Sequence, residues 1–194
     1  MNAQANKPPD YIGGSHPTGS TGRAGDTPRY RADIGAGSLK VPESRIIADL
    51  LLRGVDVKSF NVEIADNNVL QARSPETAKR LASLLRARLE LMQPALWQMV
   101  RDGSTPLATH ACLAAAVKHS PLLGDFLDLV VRECYQLRRP ALSIPLWEHY
   151  VEDCHNRDPG MSNWSEPTVS RMRSAVFAIL AQAGYVENVR NLKL

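Results

Sequence analysis

Aromatic residues and long apolar runs are scarce in this sequence, and each scarcity narrows the possible folds. Aromatics make up only 6% of the residues, whereas a β-sandwich would be enriched in Val, Tyr, Phe and Thr. The apolar content is mostly Leu, Ala, Val and Ile, which favours packed helices. No apolar run approaches the roughly 18 residues of a membrane span, and the N-terminus lacks the apolar segment of a signal peptide. We therefore expect a cytoplasmic protein without contact to a membrane.

Cysteine is also sparse, and its placement is not typical of a disulfide or metal framework. The three cysteines are Cys112, Cys134 and Cys154, an odd number with unmatched spacings, which indicates reduced thiols. His110 lies two residues before Cys112 and His155 follows Cys154, but neither pair has the ligand spacing of a zinc site. No dinucleotide fingerprint or P-loop is present. The sequence predicts no metal site, no cofactor, no small-molecule substrate and no catalytic residue.

The N-terminal segment differs in composition from the rest of the chain. Residues 1–37 contain seven of the twelve glycines and four of the thirteen prolines. Such a segment buries too little apolar surface to offset the entropy lost on ordering. We predict a disordered tail over residues 1–29 and one folded domain over residues 30–194. Lys7, Arg23 and Arg29 are too sparse for a nucleic-acid arm, so the tail is predicted to be a passive extension.

From residue 30 onward, proline and glycine mark the ends of apolar-periodic segments. Proline follows a residue that can cap a helix at Ser74, Thr105 and Ser120, and proline at a first helical position loses no hydrogen bond. Gly54 and Gly184 follow other segments, as C-terminal helix caps do. The pattern predicts an all-α fold with a single globular helical domain. The predicted helices cover residues 42–53, 57–68, 75–92, 94–102, 106–118, 121–138, 145–156 and 167–183.

One predicted helix, residues 75–92, carries a basic face. Its predicted core stripe is Ala78, Leu81, Ala82, Leu85, Leu89 and Met92. The opposite face carries Lys79, Arg80, Ser83 and Arg86, with Arg88 flanking it, Arg73 just before the helix and Ser74 as its cap. A short helix, a turn and a longer basic helix form the layout of a helix-turn-helix, whose second helix enters the major groove of DNA. The alternative is an ordinary solvated face, since Glu76 and Glu90 share this surface.

A second helix-turn-helix-like unit is predicted near the C-terminus, from residues 145–155 and 167–183. The outer face of the second helix is nearly all small, with Ser170, Ser174, Ala178 and Ala181 beside Arg171 and Gln182. Ser165, Thr168 and Arg171 lie near its positively polarised N-terminus, where phosphates bind, and Arg173 adds a second cation. The alternative is that this small face packs against the rest of the fold.

Two stretches of sequence resemble a known family. Residues 30–32 (YRA), 36–39 (AGSL) and 42–52 (PESRIIADLLL) are similar to the opening of the BrxA family, small core proteins of the BREX bacteriophage-exclusion systems. Residues 70–80 (LQARSPETAKR) resemble the family's second signature, and the resemblance covers about residues 30–186. It implies an all-α DNA-binding protein without enzymatic activity, working beside a methyltransferase and ATPase-type BREX partners. The family's likeness to NusB-like helical proteins keeps RNA open as a ligand.

Together these patterns predict a non-enzymatic accessory protein that contacts duplex DNA. The predicted contact residues are Arg73, Ser74, Lys79, Arg80, Arg86, Ser165, Thr168, Arg171 and Arg173. The rival prediction is a helical adaptor that joins other BREX proteins and touches no nucleic acid. Its docking surfaces would be the small-faced C-terminal helix and the middle of the chain, where residues 93–163 carry six basic and eight acidic groups.

Overall fold

A computed structural model of the chain describes residues 27–34 and 37–194. These residues form eight helices and no strand, which confirms the predicted all-α class and single domain. Most of the predicted tail, residues 1–26, lies outside the described residues. The first five helices are α1 (Val41–Leu52), α2 (Val57–Asn61, continued by a π-helical turn over Val62–Asp66), α3 (Pro75–Glu90), α4 (Pro94–Asp102) and α5 (Thr105–His119). Helix α6 consists of Pro121–Asp125, a π-helical turn over Phe126–Val131, and a last α-helical part, Arg132–Gln136. The chain ends with α7 (Ile144–Arg157) and α8 (Glu166–Gln182).

Proline and glycine mark the helix ends as predicted. Seven of the eight described helices have proline at their first or second position, where the missing N–H costs nothing. The exception, α2, has Asp56 as its N-cap, whose carboxylate accepts the backbone N–H groups of Lys58 and Ser59. After α1 and α8 the chain turns through Gly54 and Gly184 at φ 62° and 78°, a backbone conformation that favours glycine.

Two of the predicted helices contain π-helical turns that the sequence does not indicate. The first lies in α2, over Val62–Asp66, and packs against α3. The second lies in α6, over Phe126–Val131. Phe126 is fully buried, and its ring meets Trp147 and Tyr150 of α7 at centroid distances of 5.2 and 5.1 Å. The wider turn therefore lies where α6 must fit the aromatic residues of α7, and Trp147 is a core residue.

The segment before α1 crosses the bundle and ties several helices together. Tyr30, Ile34 and Leu39 are buried in the core. The Tyr30 hydroxyl donates to Asp125 on α6, at 2.7 Å, and Ser120 donates to Asp33 at 2.7 Å. Further along, the backbone N–H of Leu39 donates to Gln182 of α8, and Arg88 of α3 donates to the Ser38 carbonyl. We call residues 29–34 and 37–40 the strap, because their side chains and backbone contact α3, α6 and α8.

Candidate nucleic-acid interface

The start of α3 is built as the sequence predicted. Ser74 is the N-cap, and its Oγ accepts the backbone N–H of Thr77 at 3.2 Å. The connection from α2 to α3 covers residues 67–74, longer than the three or four residues of a tight helix-turn-helix. It is held by Asn68, whose side chain bonds both the N–H and the carbonyl of Ala72, at 2.9 and 3.0 Å. The unit is therefore a helix, an ordered eight-residue connection and a longer basic helix.

The predicted cations of this unit fall into two groups. Arg73, Lys79 and Arg80 are exposed, and none of them makes a side-chain hydrogen bond or ion pair within residues 27–34 and 37–194. Arg86 differs: its Nε lies 2.7 Å from Glu90 Oε1, and its guanidinium lies 4.9 Å from the centre of the Phe60 ring. Arg86 therefore holds α2 against α3, while the other three cations face solvent around the N-terminal half of α3.

Arg88 does not flank the basic face, and the prediction that it does is wrong. Its residue surface is only 4% exposed, and Nη1 donates to the carbonyl of Ser38 in the strap, at 3.2 Å. The physical reason is helical periodicity: Arg88 follows Leu81 by seven residues and Leu85 by three, which places it within the apolar stripe. Burial lowers the pKa of its guanidinium, against the charge of Asp33. Arg88 therefore contributes to the core.

The polar residues of the second predicted unit form hydrogen bonds mainly with each other. Ser165 and Thr168 hydroxyls lie 3.0 Å apart at the start of α8. Arg171 is exposed, and its Nε donates to the carbonyl of Pro167 at 3.2 Å. Arg173 is half-buried and lies 3.4 Å from Glu148 of α7. The structure thus brings Ser165, Thr168 and Arg171 together at one helix end, and turns Arg173 toward α7.

The small outer face of α8 forms the floor of open grooves. Ser170, Ser174 and Ala178 line a groove of about 420 Å³ whose other wall is the strap at Gly37, Ser38 and Lys40. At the C-terminal end of this face, Gln182 Oε1 accepts the backbone N–H of Leu39 at 2.9 Å. Among the described residues, the small face is exposed at Ser174 and partly exposed at Ser170 and Ala178.

The three cysteines are buried, and their chemistry follows from that burial. Desolvation raises the pKa of Cys112, Cys134 and Cys154, so each thiol stays protonated and weakly nucleophilic near neutral pH.

In the described part of the chain, no three His, Cys, Asp or Glu side chains converge as metal ligands would. Nor does any described helix combine the length and apolar character that crossing a bilayer requires.

Sequence reasoning missed a concave surface at the C-terminal end of the chain. The walls of this groove come from α7, α8 and residues 189–192. Residues 185–194 follow the last predicted helix and have no periodic pattern, so no local signal points to this surface. Only the pairing of the C-terminal residues with residues 140–142 creates it.

Comparison with known proteins identifies the family. A family model described as BrxA matches residues 28–194. The BREX protein BrxA of Paramagnetospirillum magneticum strain AMB-1 is 55% identical over 86% of this chain and 84% of its own length. That of Escherichia coli O9:H4 strain HS is 33% identical over 84% and 76%. A crystal structure of a protein from Magnetospirillum magneticum matches with a TM-score of 0.79 and 51% identity, over 86% of this chain and 85% of the other. The chain therefore belongs to the BrxA family.

Proposed function

We propose that this chain is a non-enzymatic, DNA-binding accessory protein of a BREX phage-defence system. It contacts duplex DNA through the helix-turn-helix-like unit of α2 and α3, with a smaller contribution from the start of α8. Membership in the BrxA family, whose relatives carry the name BREX protein, supports the setting in phage defence. The buried, protonated thiols support a role without covalent chemistry.

The observation that carries the proposal is the contrast between paired and unpaired cations. Seven cations of the described chain form ion pairs: Arg29, Lys40, Arg53, Arg86, Arg101, Arg132 and Arg173. Arg73, Lys79 and Arg80 cluster within eight residues at one helix end and have no such partner among the described residues. Neutralising phosphates releases counterions from DNA, and unpaired cations give up no internal ion pair when they do so. This surface is therefore suited to a phosphate backbone.

The positions on α3 also suit contact with bases. Recognition helices place their N-terminal residues near base edges in the major groove. Lys79 and Arg80 lie in the second turn of α3, close to the positive end of the helix dipole. Arg73 precedes the cap, where it can reach a flanking phosphate. We propose contacts that are mainly electrostatic, with Arg86 acting through Phe60 to position the helix.

The start of α8 forms the second part of the proposed interface. Arg171 is the exposed cation there, beside the hydroxyls of Ser165 and Thr168. A helix N-terminus with adjacent hydroxyls and a guanidinium can bind a phosphate. Arg173 is a weaker candidate for a phosphate contact, because Glu148 already neutralises it across a distance of 3.4 Å.

The test is a titration of the full chain against labelled duplex DNA at several salt concentrations. Affinity is expected to fall steeply with salt, and Lys79→Ala/Arg80→Ala is expected to reduce the slope of log K against log salt by about 2, roughly one for each phosphate that the variant no longer neutralises. The matched control is Lys118→Ala/Arg139→Ala, which removes the same charge from two exposed cations outside the proposed interface that form no ion pair among the described residues. The control is expected to leave the slope unchanged.

Single-stranded DNA and RNA of the same length complete the experiment. Tighter binding to RNA than to duplex DNA would identify RNA as the ligand, in agreement with the NusB-like alternative. Absence of any binding at low ionic strength, or equal losses in both double variants, would refute the assignment to α3.

A further inference from the structure

An apolar groove with a basic rim lies at the C-terminal end of the molecule, apart from the basic face of α3. We call it the C-terminal groove; its volume is about 550 Å³. Its walls are Ile144 at the start of α7, Phe177 of α8, and Val189 and Leu192 of the C-terminal segment. Ser174 and Ala178 form the floor. Ile144 is 46% exposed and Val189 is 54% exposed, so large apolar side chains face solvent from both sides of the groove.

Backbone hydrogen bonds fix the shape of the groove. Leu142 donates its N–H to the carbonyl of Leu192 at 2.9 Å, and Leu194 donates to Pro140 at 3.2 Å. At the tip, the Asn188 side chain accepts the backbone N–H groups of Arg190 and Asn191, at 2.9 and 2.8 Å. The wall that carries Val189 is therefore held in place before any ligand binds, which reduces the entropy lost on binding.

The charge of the groove is of one sign. Two guanidinium groups line it, those of Arg173 and Arg190, and no carboxylate of the described residues does. Arg190 is exposed and has no side-chain hydrogen bond or ion pair in the part of the chain that the structure describes. Arg173 is already paired with Glu148 at 3.4 Å and donates to Ser170 at 3.3 Å. Arg190 is therefore the cation of the groove that can bind a carboxylate of a ligand, and guanidinium–carboxylate pairs give direction as well as attraction.

From these features we propose that the C-terminal groove binds a short segment of another protein, one that presents large apolar side chains beside a carboxylate. Apolar side chains would fill the space between Ile144 and Val189, over the small floor of Ser174 and Ala178. An aspartate or glutamate of the same segment would pair with Arg190. Apolar anchors surrounded by a polar rim are the usual composition of a protein–protein contact.

The apolar walls distinguish this groove from the proposed DNA contact. A phosphate backbone offers no group that gains from burial against Ile144, Phe177 and Val189, and it would leave them facing hydrated anions. Lys79 and Arg80 instead lie on the exposed face of α3. The two surfaces therefore serve different ligands, and the peptide proposal does not depend on DNA binding.

The experiment selects peptides from a phage-displayed library of random sequences on the immobilised full chain. Enriched peptides are then titrated against the chain by fluorescence anisotropy. The test variants are Val189→Asp and Arg190→Ala. Val57→Asp, at an exposed valine of α2, and Arg132→Ala, at an exposed arginine of α6, are the matched controls. Circular dichroism of each variant confirms the helical fold.

We expect enriched peptides to combine large apolar residues with Asp or Glu a few positions away. Val189→Asp is expected to weaken their binding by about tenfold or more and Arg190→Ala by about fivefold, within the range of central interface residues, while both controls bind normally. Failure to enrich any peptide, enrichment of basic peptides, or equal binding by Val189→Asp would overturn the proposal. So would a decrease of duplex DNA affinity in Arg190→Ala matching that in the α3 variant, which would assign the groove to nucleic acid.

Discussion

Tyr30 allows a measurement of how firmly the strap is held to the helices. Its side chain is only 2% exposed, and its hydroxyl donates to Asp125 Oδ2 at 2.7 Å. Arg29 shares the same carboxylate, with Nη2 at 2.9 Å from Oδ2. The Arg157 guanidinium lies 5.6 Å from the centre of the Tyr30 ring. Tyr30→Phe removes the hydroxyl and leaves the ring and its packing in place.

Near pH 8 this substitution is expected to lower the free energy of unfolding by about 1.5 kcal/mol. A hydrogen bond to a charged group contributes roughly 1.5–3 kcal/mol. The lower end applies because Arg29 still satisfies Asp125 after the hydroxyl is removed. Loss of the ring itself, in Tyr30→Ala, would cost about 3–5 kcal/mol, as for other buried aromatic side chains.

The difference in unfolding free energy between the wild-type chain and Tyr30→Phe should then change with pH. Burial, together with the hydrogen bond to Asp125, raises the pKa of Tyr30 to about 12 in the folded protein, from an ordinary value of 10. A group whose folded pKa is raised stabilises the fold fully below its unfolded pKa and loses that contribution as pH rises through the folded value. The wild-type chain should therefore lose about 1.4 kcal/mol per pH unit relative to Tyr30→Phe between pH 10 and 12. Its initial advantage disappears near pH 11.

Urea denaturation followed by circular dichroism, from pH 8 to 11.5, measures this difference directly. Ionisation of the other tyrosines and of the thiols is common to both chains and cancels in the comparison. Tyr185→Phe serves as the control, because the Tyr185 hydroxyl makes no hydrogen bond within the described residues and its removal should cost little at any pH. A deficit of Tyr30→Phe that stays constant across this range would contradict the raised pKa of Tyr30, which burial and the hydrogen bond to Asp125 produce together.

Two further predictions concern the helix cap and the thiols. Ser74→Ala removes the side-chain acceptor at the start of α3 and is expected to cost about 1 kcal/mol of unfolding free energy. Ser83→Ala, at an exposed position of the same helix, should stay within about 0.5 kcal/mol of wild type, and equal thermal shifts in both would contradict the cap. Because burial raises their pKa, the cysteines should react with a chromogenic disulfide at pH 8 only in urea. Fast labelling of any thiol in the native protein would contradict this prediction.

The helix boundaries could be predicted because they depend on local chemistry. Proline after Ser74 or Ser120 loses no hydrogen bond at a helix start, and Gly184 adopts the positive φ that a helix end requires. These preferences act within a few residues of sequence. The same holds for the ion pair between Arg86 and Glu90, which lie four residues apart on one helix face.

The features that could not be predicted depend on distant segments. The π-helical turn at Phe126 adjusts α6 to aromatic residues of α7, about twenty residues away in sequence. The charge of Arg88 favours a surface position, although helical periodicity places it in the apolar stripe, where it meets the Ser38 carbonyl of the strap. Arg173 pairs with Glu148 across two helices. Sequence patterns identify candidate cations, but only the tertiary fold shows which of them are already paired.

The surroundings of the unpaired cations also determine how each proposed contact should respond to salt. Lys79 and Arg80 project from a polar helix face into solvent, where charges are screened over about 10 Å at 0.1 M salt. Binding there depends on counterion release and should weaken by orders of magnitude between low and physiological salt. Arg190 lies beside Val189 and Ile144, whose burial against a ligand does not depend on charge screening. Peptide affinity in the C-terminal groove should therefore fall much less than DNA affinity over the same range. If both affinities fell equally, binding at the groove would be electrostatic, and its apolar walls would not contribute to binding.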